Sequence, residues 1–390
     1  MKSRWIYVVF GIVIFICLGT VYSWSIFRKP LENMMGLSSV ESSLPFMFFL
    51  TFYSLLMPVG GKLVAKHSPR NVLIFGGILV GLGWILASFS EGLWQLVLTY
   101  GVVAGSGVGI AYGIPISVVS KWFNEKKGLA LGVLIAGFGL SPFVTAPLAK
   151  KLITSYGVFP AFRILGMAFL LLITLLSIPF KFPKDSGFES DSNDGSTSPR
   201  QMLKNKKFYA LWFCFMASTF IGLMIIGITA PFGEEVIGID EKTMPILTAI
   251  FSAFNGIGRP LFGLLSDIIL PQVTISVSYV LVILSSLLLA YTHSPISFVV
   301  SFSLFWLTFG GWLAMAPYLT SKFFGNKYQS QNYGIVFTAY GFGAIFGNLS
   351  AGIIKDLFGS YKYVVYPIAL LAIIAVVVAN VYLRVNENVR

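Results

Sequence analysis

The chain of 390 residues is 56% hydrophobic and only 11% charged, with a mean hydropathy of +0.83, far from the roughly one-quarter charged residues of an ordinary soluble domain. A surface of that composition faces lipid, and at about 20 apolar residues per crossing the length allows roughly twelve spans and no sizeable soluble domain. The net charge of +12 does not indicate nucleic acid, because the basic residues lie between apolar runs, where membrane topology accounts for them.

Apolar runs broken by polar or turn-forming clusters predict helices 1 to 12 at 5–27, 43–66, 71–90, 93–121, 128–151, 160–181, 207–231, 242–265, 272–291, 294–322, 330–353 and 361–384. The expected fold is therefore an all-α membrane protein of twelve transmembrane helices. The first run, Trp5 to Phe27, is longer than a signal-peptide core and lacks a small-residue cleavage site, so it is expected to be a retained helix. With the N-terminus inside, cytoplasmic loops collect 18 of the 27 basic residues, among them Lys2, Arg70, Lys121, Lys126, Lys127, Lys184, Lys327 and Arg390. The opposite face holds eight, including Arg28, Lys29 and Lys355, an asymmetry that puts both termini in the cytoplasm.

The one long polar stretch, near Phe182 to Lys207, is rich in Ser, Asp, Pro and Lys and is expected to be a flexible linker. It divides the chain into an N-terminal six-helix bundle (1–181), a cytoplasmic linker (182–206) and a C-terminal six-helix bundle (207–390). The two parts repeat each other. Ser120-Lys121-Trp122-Phe123 recurs as Ser321-Lys322-Phe323-Phe324, Ala136-Gly137-Phe138-Gly139 as Tyr340-Gly341-Phe342-Gly343, and Tyr156-Gly157 as Phe358-Gly359, at offsets of 201 to 204 residues. Duplication on this scale is expected of secondary transporters that alternate access.

Glycine recurs at every fourth position in helix 4, at Gly101, Gly105, Gly109 and Gly113, and small residues do so in helix 5 (Gly128, Gly132, Ala136) and helix 11 (Gly343, Gly347, Ala351). Such faces allow close helix packing, or sliding during transport, and the spacing alone does not choose between them. Helix 8 carries a different signal. Thr248, Ser252, Asn255 and Arg259 follow spacings of four, three and four, one polar stripe on an otherwise apolar helix. Arg259 is the one charge expected deep in a span, a position that costs about 2.5–3.5 kcal/mol on insertion scales. A guanidinium in low dielectric wants an anion, and its planar fork matches a carboxylate in two-point contact. The plainer alternatives are that Arg259 snorkels or pairs with Asp267.

Aromatic residues near helix midpoints are candidates to pack a short apolar tail beside that anion: Tyr22 in helix 1, Tyr112 in helix 4, Trp312 in helix 10, and Phe337 and Tyr340 in helix 11. Catalysis is not indicated. His67 and His293 fall in loops, Cys17 and Cys214 fall in apolar runs without ligand spacing, and the glycine runs lack the Lys-Ser/Thr of a phosphate loop. Neither a cofactor nor a metal is expected.

Several motifs together resemble the major facilitator superfamily, and within it the group of oxalate/formate antiporters and microbial monocarboxylate transporters. They are Gly19-Thr20-Val21-Tyr22-Ser23-Trp24-Ser25-Ile26-Phe27, Tyr112-Gly113, Lys127-Gly128-Leu129-Ala130, Ala136-Gly137-Phe138-Gly139, Asn255-Gly256 with Arg259-Pro260, Ser266-Asp267, Gly310-Gly311 with Pro317, and Asn332-Tyr333-Gly334. The resemblance implies that Arg259 binds a substrate carboxylate with Asn255 as its polar partner. It also implies that Asp267 serves a cytoplasmic gate, whose counterpart after helix 2 has Ala65 instead of an acidic residue. Where the oxalate antiporter has a lysine after a Thr-Ala pair in helix 11, this chain has Tyr340 after Thr338-Ala339. One cation instead of two favours a monocarboxylate, because a second buried carboxylate would lack a partner.

The expected function is secondary transport of small monocarboxylates of the lactate, pyruvate or formate type across the cytoplasmic membrane by alternating access, with proton coupling. The partners are the carboxylate, protons and the lipid bilayer, for a chain acting as a monomer. Oxalate/formate-type anion exchange is the alternative. A passive anion channel, which needs an open polar pathway, and a non-transporting receptor, which needs a recognition domain, fit less well.

Overall fold

A computed structural model describes residues 4–123, 127–183, 197–325 and 328–384, excepting the side chains at 65, 120–121, 127–129, 131 and 329–331. The body of the expected linker (184–196), together with Lys2, Lys126, Lys184, Lys327 and Arg390, lies outside the described residues, as do the side chains of Ala65, Lys121 and Lys127. The described residues are helical almost throughout, as hydrocarbon demands: with no water available, each crossing segment must satisfy its own backbone N–H and C=O groups.

The helices in chain order are α1 (Trp5–Gly19, Thr20–Ser23 and Trp24–Met35), α2 (Ser39–Lys66), α3 (Pro69–Ala87), α4 (Leu93–Leu96, Val97–Ala104 and Gly105–Trp122), α5 (Lys127–Gly139 and Ser141–Tyr156) and α6 (Val158–Ser177). After a single turn at Pro199–Met202 come α7 (Lys206–Phe232, extended by Gly233–Ile237), α8 (Met244–Ile268), α9 (Pro271–Tyr291), α10 (Pro295–Phe324), α11 (Gln329–Phe358) and α12 (Tyr361–Val364 and Val365–Tyr382). Eleven of these are long and apolar enough to cross a membrane. The twelfth expected span is α8, 25 residues long, whose apolar character is lowered by Asn255, Arg259 and Asp267.

Two expected boundaries need correction. The cluster Arg28-Lys29-Pro30 does not end the first helix, which continues to Met35. Arg28 is buried inside it because Nε bonds Ser42 Oγ at 2.8 Å and Glu32 Oε1 at 3.3 Å, which neutralises the guanidinium locally. Arg259 is therefore accompanied by a second buried cation. The last turn of the expected linker is also ordered: Thr197 N–H donates to Phe324 C=O at 2.9 Å, and Asn332 Nδ2 donates to Thr197 C=O at 2.9 Å.

The chain separates into two compact units, Met1–Glu189 with Lys242–Ala253, and Ser190–Glu241 with Phe254–Arg390. In the first, α1 packs on α5, α2 on α4, and α3 on α6. In the second, α7 packs on α11 and α9 on α12, and α8 meets α10 at near backbone contact. The same pairing thus recurs six helices on. The helix 4 glycines serve it directly, since Gly101, Gly105 and Gly109 seat α4 against the α2 backbone, whereas Gly113 faces open space.

Candidate functional site

Helix α8 is amphipathic in the sense suited to a membrane. Thr248, Ser252 and Asn255 are wholly buried and Arg259 is 2% exposed, while Ile246, Ile257, Leu261 and Leu264 lie on the outer surface. Burying the polar stripe keeps a charge and an amide away from hydrocarbon, the arrangement expected for intramembrane polar groups. Asp267, eight residues and about 12 Å of helical rise beyond Arg259, is exposed near the end of α8. No ion pair joins the two among the described residues.

Asn255 sits where α8 and α10 cross. A Cβ at Gly310 would lie 2.0 Å from Asn255 O, and one at Gly258 would lie 2.0 Å from Leu307 O, so only glycine permits this approach. With no side chain at Gly310 to cover it, the Trp306 carbonyl one turn back is open to a second donor. Asn255 Nδ2 uses it, at 3.0 Å. That bond fixes the amide orientation and turns Oδ1 toward Arg259 Nη2, at 3.3 Å. Trp306 is held in turn, its Nε1 donating to Thr229 Oγ1 of α7 at 3.4 Å. The guanidinium therefore stands at the end of a relay crossing three helices, and Asn255 engages only one edge of its donor fork. Asn255 contributes a neutral amide, and the planar fork of guanidinium donors is the group suited to an anion.

The aromatic candidates fall into two groups. In the second unit Phe337 and Tyr340 stack on α11, with centroids 5.0 Å apart and planes 9° from parallel. Phe309 approaches Tyr340 at 6.3 Å, and Phe215 bridges Phe337 to Trp312 at 6.0 and 6.2 Å. Trp312 is also tied outward to α9, its Nε1 donating to Ser278 Oγ at 3.0 Å. In the first unit Tyr22 and Tyr112 both pack on Phe138, at 5.1 and 5.3 Å. Tyr53 and Phe15 complete this group, each against Tyr112 and Phe138.

Sequence reasoning did not single out Trp306, Thr229, Tyr53 or Phe15. Their roles depend on which helices cross, and no local pattern encodes that. Gly310 and Phe138 were visible as motif members without a mechanical reason.

The sequence profile of the Major Facilitator Superfamily matches residues 9–321 and 234–390. The chain is 30% identical over 364 residues to the oxalate:formate antiporter of Oxalobacter formigenes, covering 92% of this chain and 87% of that protein. It is 25% identical over 417 residues to human monocarboxylate transporter 2, covering 99% of this chain and 86% of the relative. Among solved structures, a bacterial homolog of the human lysosomal transporter Spinster, inward-facing and unoccupied, superposes with a TM-score of 0.78 at 13% identity, covering 98% of this chain and 99% of that one.

Proposed function

Because this chain belongs to the major facilitator superfamily, we propose that it is a secondary transporter of small monocarboxylate anions such as lactate, pyruvate or formate, driven by protons through alternating access. The observation that carries the reading is Arg259, a guanidinium buried on α8 and hydrogen-bonded by the Asn255 amide. A carboxylate matches the planar guanidinium fork in two-point contact, which is why a cation worth its insertion penalty would be kept there. The aromatic group around Tyr340 supplies an apolar wall for a short substrate tail in the second unit, and Tyr22 and Tyr112, packed on Phe138, line the substrate path through the first. Helix α11 presents the stacked pair Phe337 and Tyr340 and no second cation at that point, which favours one carboxylate over two.

In this reading the protein lies in the cytoplasmic membrane with both termini inside and works as a monomer. The six-helix halves 1–181 and 207–390, joined through 182–206, move against each other, and Asp267 serves the cytoplasmic gate. A proton travels with the weak acid, since apart from the exposed Asp267 near its end α8 carries no carboxylate or histidine beside Arg259. The second reading is anion exchange, favoured by the relative named as an oxalate:formate antiporter.

Uptake of labelled L-lactate into proteoliposomes tests both. Symport predicts uptake driven by an inward proton gradient with empty vesicles. Exchange predicts uptake that requires internal formate or lactate and ignores the gradient. Absence of uptake under either condition, with lactate, pyruvate and formate each tried, would reject the substrate class.

A further inference from the structure

Near its middle, α1 leaves α-helical geometry, and the change is tied to α5. In a continuous α-helix the Thr20 N–H would bond Ile16 C=O. Here it bonds Cys17 C=O, and Thr20–Ser23 continue as a 3-10 turn that ends with Trp24 N–H on Val21 C=O. The Ile16 carbonyl released by this shift is taken by two hydroxyls: Thr20 Oγ1 of the same helix at 3.1 Å, and Ser141 Oγ of α5 at 2.6 Å. A buried carbonyl needs such partners.

Helix α5 is interrupted at the same place. Leu140 separates Lys127–Gly139 from Ser141–Tyr156, and Pro142 has no N–H to carry the ladder across. The interruptions face each other closely: a Cβ at Gly19 would lie 2.4 Å from Phe138 O. Thr145 Oγ1 donates to Ser141 C=O at 3.0 Å and so accepts from Ser23 Oγ at 2.8 Å. Thr20, Ser23, Ser141 and Thr145 are all buried.

The turn decides where Tyr22 points. Side chains advance about 120° per residue in a 3-10 helix and about 100° in an α-helix, so rewinding residues 20–23 would swing Tyr22 off the ring of Phe138, which it meets edge-on at 5.1 Å. We infer that Ser141 is a positioning residue for substrate binding. By holding the Ile16 carbonyl out of the α-helical ladder it preserves the 3-10 turn and keeps Tyr22 in the aromatic wall against Phe138. This rests on the reading above that Tyr22 lines the substrate path. Ser141 itself touches no substrate.

The test uses the full-length transporter with Ser141→Ala and the conservative Ser141→Thr, read out in two ways. The first is lactate uptake kinetics. Ser141→Ala is expected to raise KM about fivefold, the factor an ordinary buried hydrogen bond is worth, with Vmax within about twofold of the parent, while Ser141→Thr restores KM. The second needs no substrate: a fluorotyrosine at position 22, followed by fluorine NMR, senses the ring current of Phe138. Ser141→Ala should move its resonance toward the position given by Phe138→Leu, and Ser141→Thr should leave it in place. A resonance unmoved by Ser141→Ala overturns the inference, as does a moved resonance with unchanged KM, or a fall in Vmax alone. Should Ser141→Ala fail to fold, Ser141→Cys keeps the size with a much weaker donor and carries the same expectations. If the parent protein takes up none of lactate, pyruvate and formate, the functional reading fails on that result alone, and the resonance still decides whether Ser141 holds the turn.

Discussion

The second and fourth helices of each unit cross in the same way. In the first unit a Cβ at Gly109 of α4 would meet Tyr53 O of α2 at 2.6 Å; in the second a Cβ at Gly310 of α10 would meet Asn255 O of α8 at 2.0 Å. The duplicated frame is shared, and the residues mounted on it are not. Tyr53 joins an aromatic group with Phe15, Tyr112 and Phe138, and one turn further along α2 the sequence has Met57, half-buried. Asn255 instead reaches the Trp306 carbonyl, and one turn further along α8 stands Arg259. The crossing of the first and fifth helices differs in the opposite sense. In the first unit both α1 and α5 are interrupted there, whereas α7 and α11 run through without a break, Thr219 Oγ1 donating to Ala339 C=O at 3.2 Å. A pair of glycine-lined crossings thus served twice, once to hold apolar rings and once to hold Arg259, with the interruption of the first and fifth helices confined to the unit that holds the rings.

The largest test of this division sets Arg259→Ala against Met57→Ala. Removing one partner of a buried charge-assisted contact costs about 2–5 kcal/mol, so Arg259→Ala is expected to lower kcat/KM for lactate by about a hundredfold or more, while Met57→Ala stays within about threefold. Arg259→Lys should recover little, because an ammonium lacks the planar fork.

Next in size, Gly310→Ala and Gly109→Ala should both destabilise by overpacking, by about 1–3 kcal/mol, seen as a lower melting temperature in detergent. Only Gly310→Ala should also weaken lactate binding, since it displaces Asn255. Equal effects on binding would break the contrast between the crossings.

Asn255→Ala removes the amide that orients the guanidinium and is expected to raise KM about twentyfold, within the range for a hydrogen bond to a charged group. The smallest expected change is that of Trp306→Phe. It removes the indole contact to Thr229 while sparing the backbone carbonyl that Asn255 uses, and should shift KM by about twofold or less for a bond as long as 3.4 Å.

Much of this was legible in the sequence, for reasons that can be named. Helix 8 announced its buried face because Thr248, Ser252, Asn255 and Arg259 keep helical spacing among apolar residues, and burial follows from that period alone. The repeat was legible through matched motifs near 120 and 321, and the helix pairings repeat accordingly. The relay from Thr229 through Trp306 to Asn255 was not, because it depends on a crossing between segments 51 and 77 residues apart in sequence. The break in α5 had a local sign in Ser141-Pro142, but membrane helices tolerate proline and the sign is ambiguous. The break in α1 had none: Thr20 to Ser23 read as ordinary helix, and what stabilises the turn is a hydroxyl 125 residues away. The overrun of α1 past Phe27 was hidden for a similar reason, since Arg28 looks like a loop residue until Glu32 and Ser42 are seen beside it.

The most direct measurement is equilibrium binding of labelled L-lactate to the purified protein, for the parent chain, Arg259→Ala and Met57→Ala, with pyruvate and formate as competitors. Saturable binding that survives Met57→Ala and is lost in Arg259→Ala is the expected result. Undiminished binding in Arg259→Ala, with the protein folded, would contradict an anion anchor on α8.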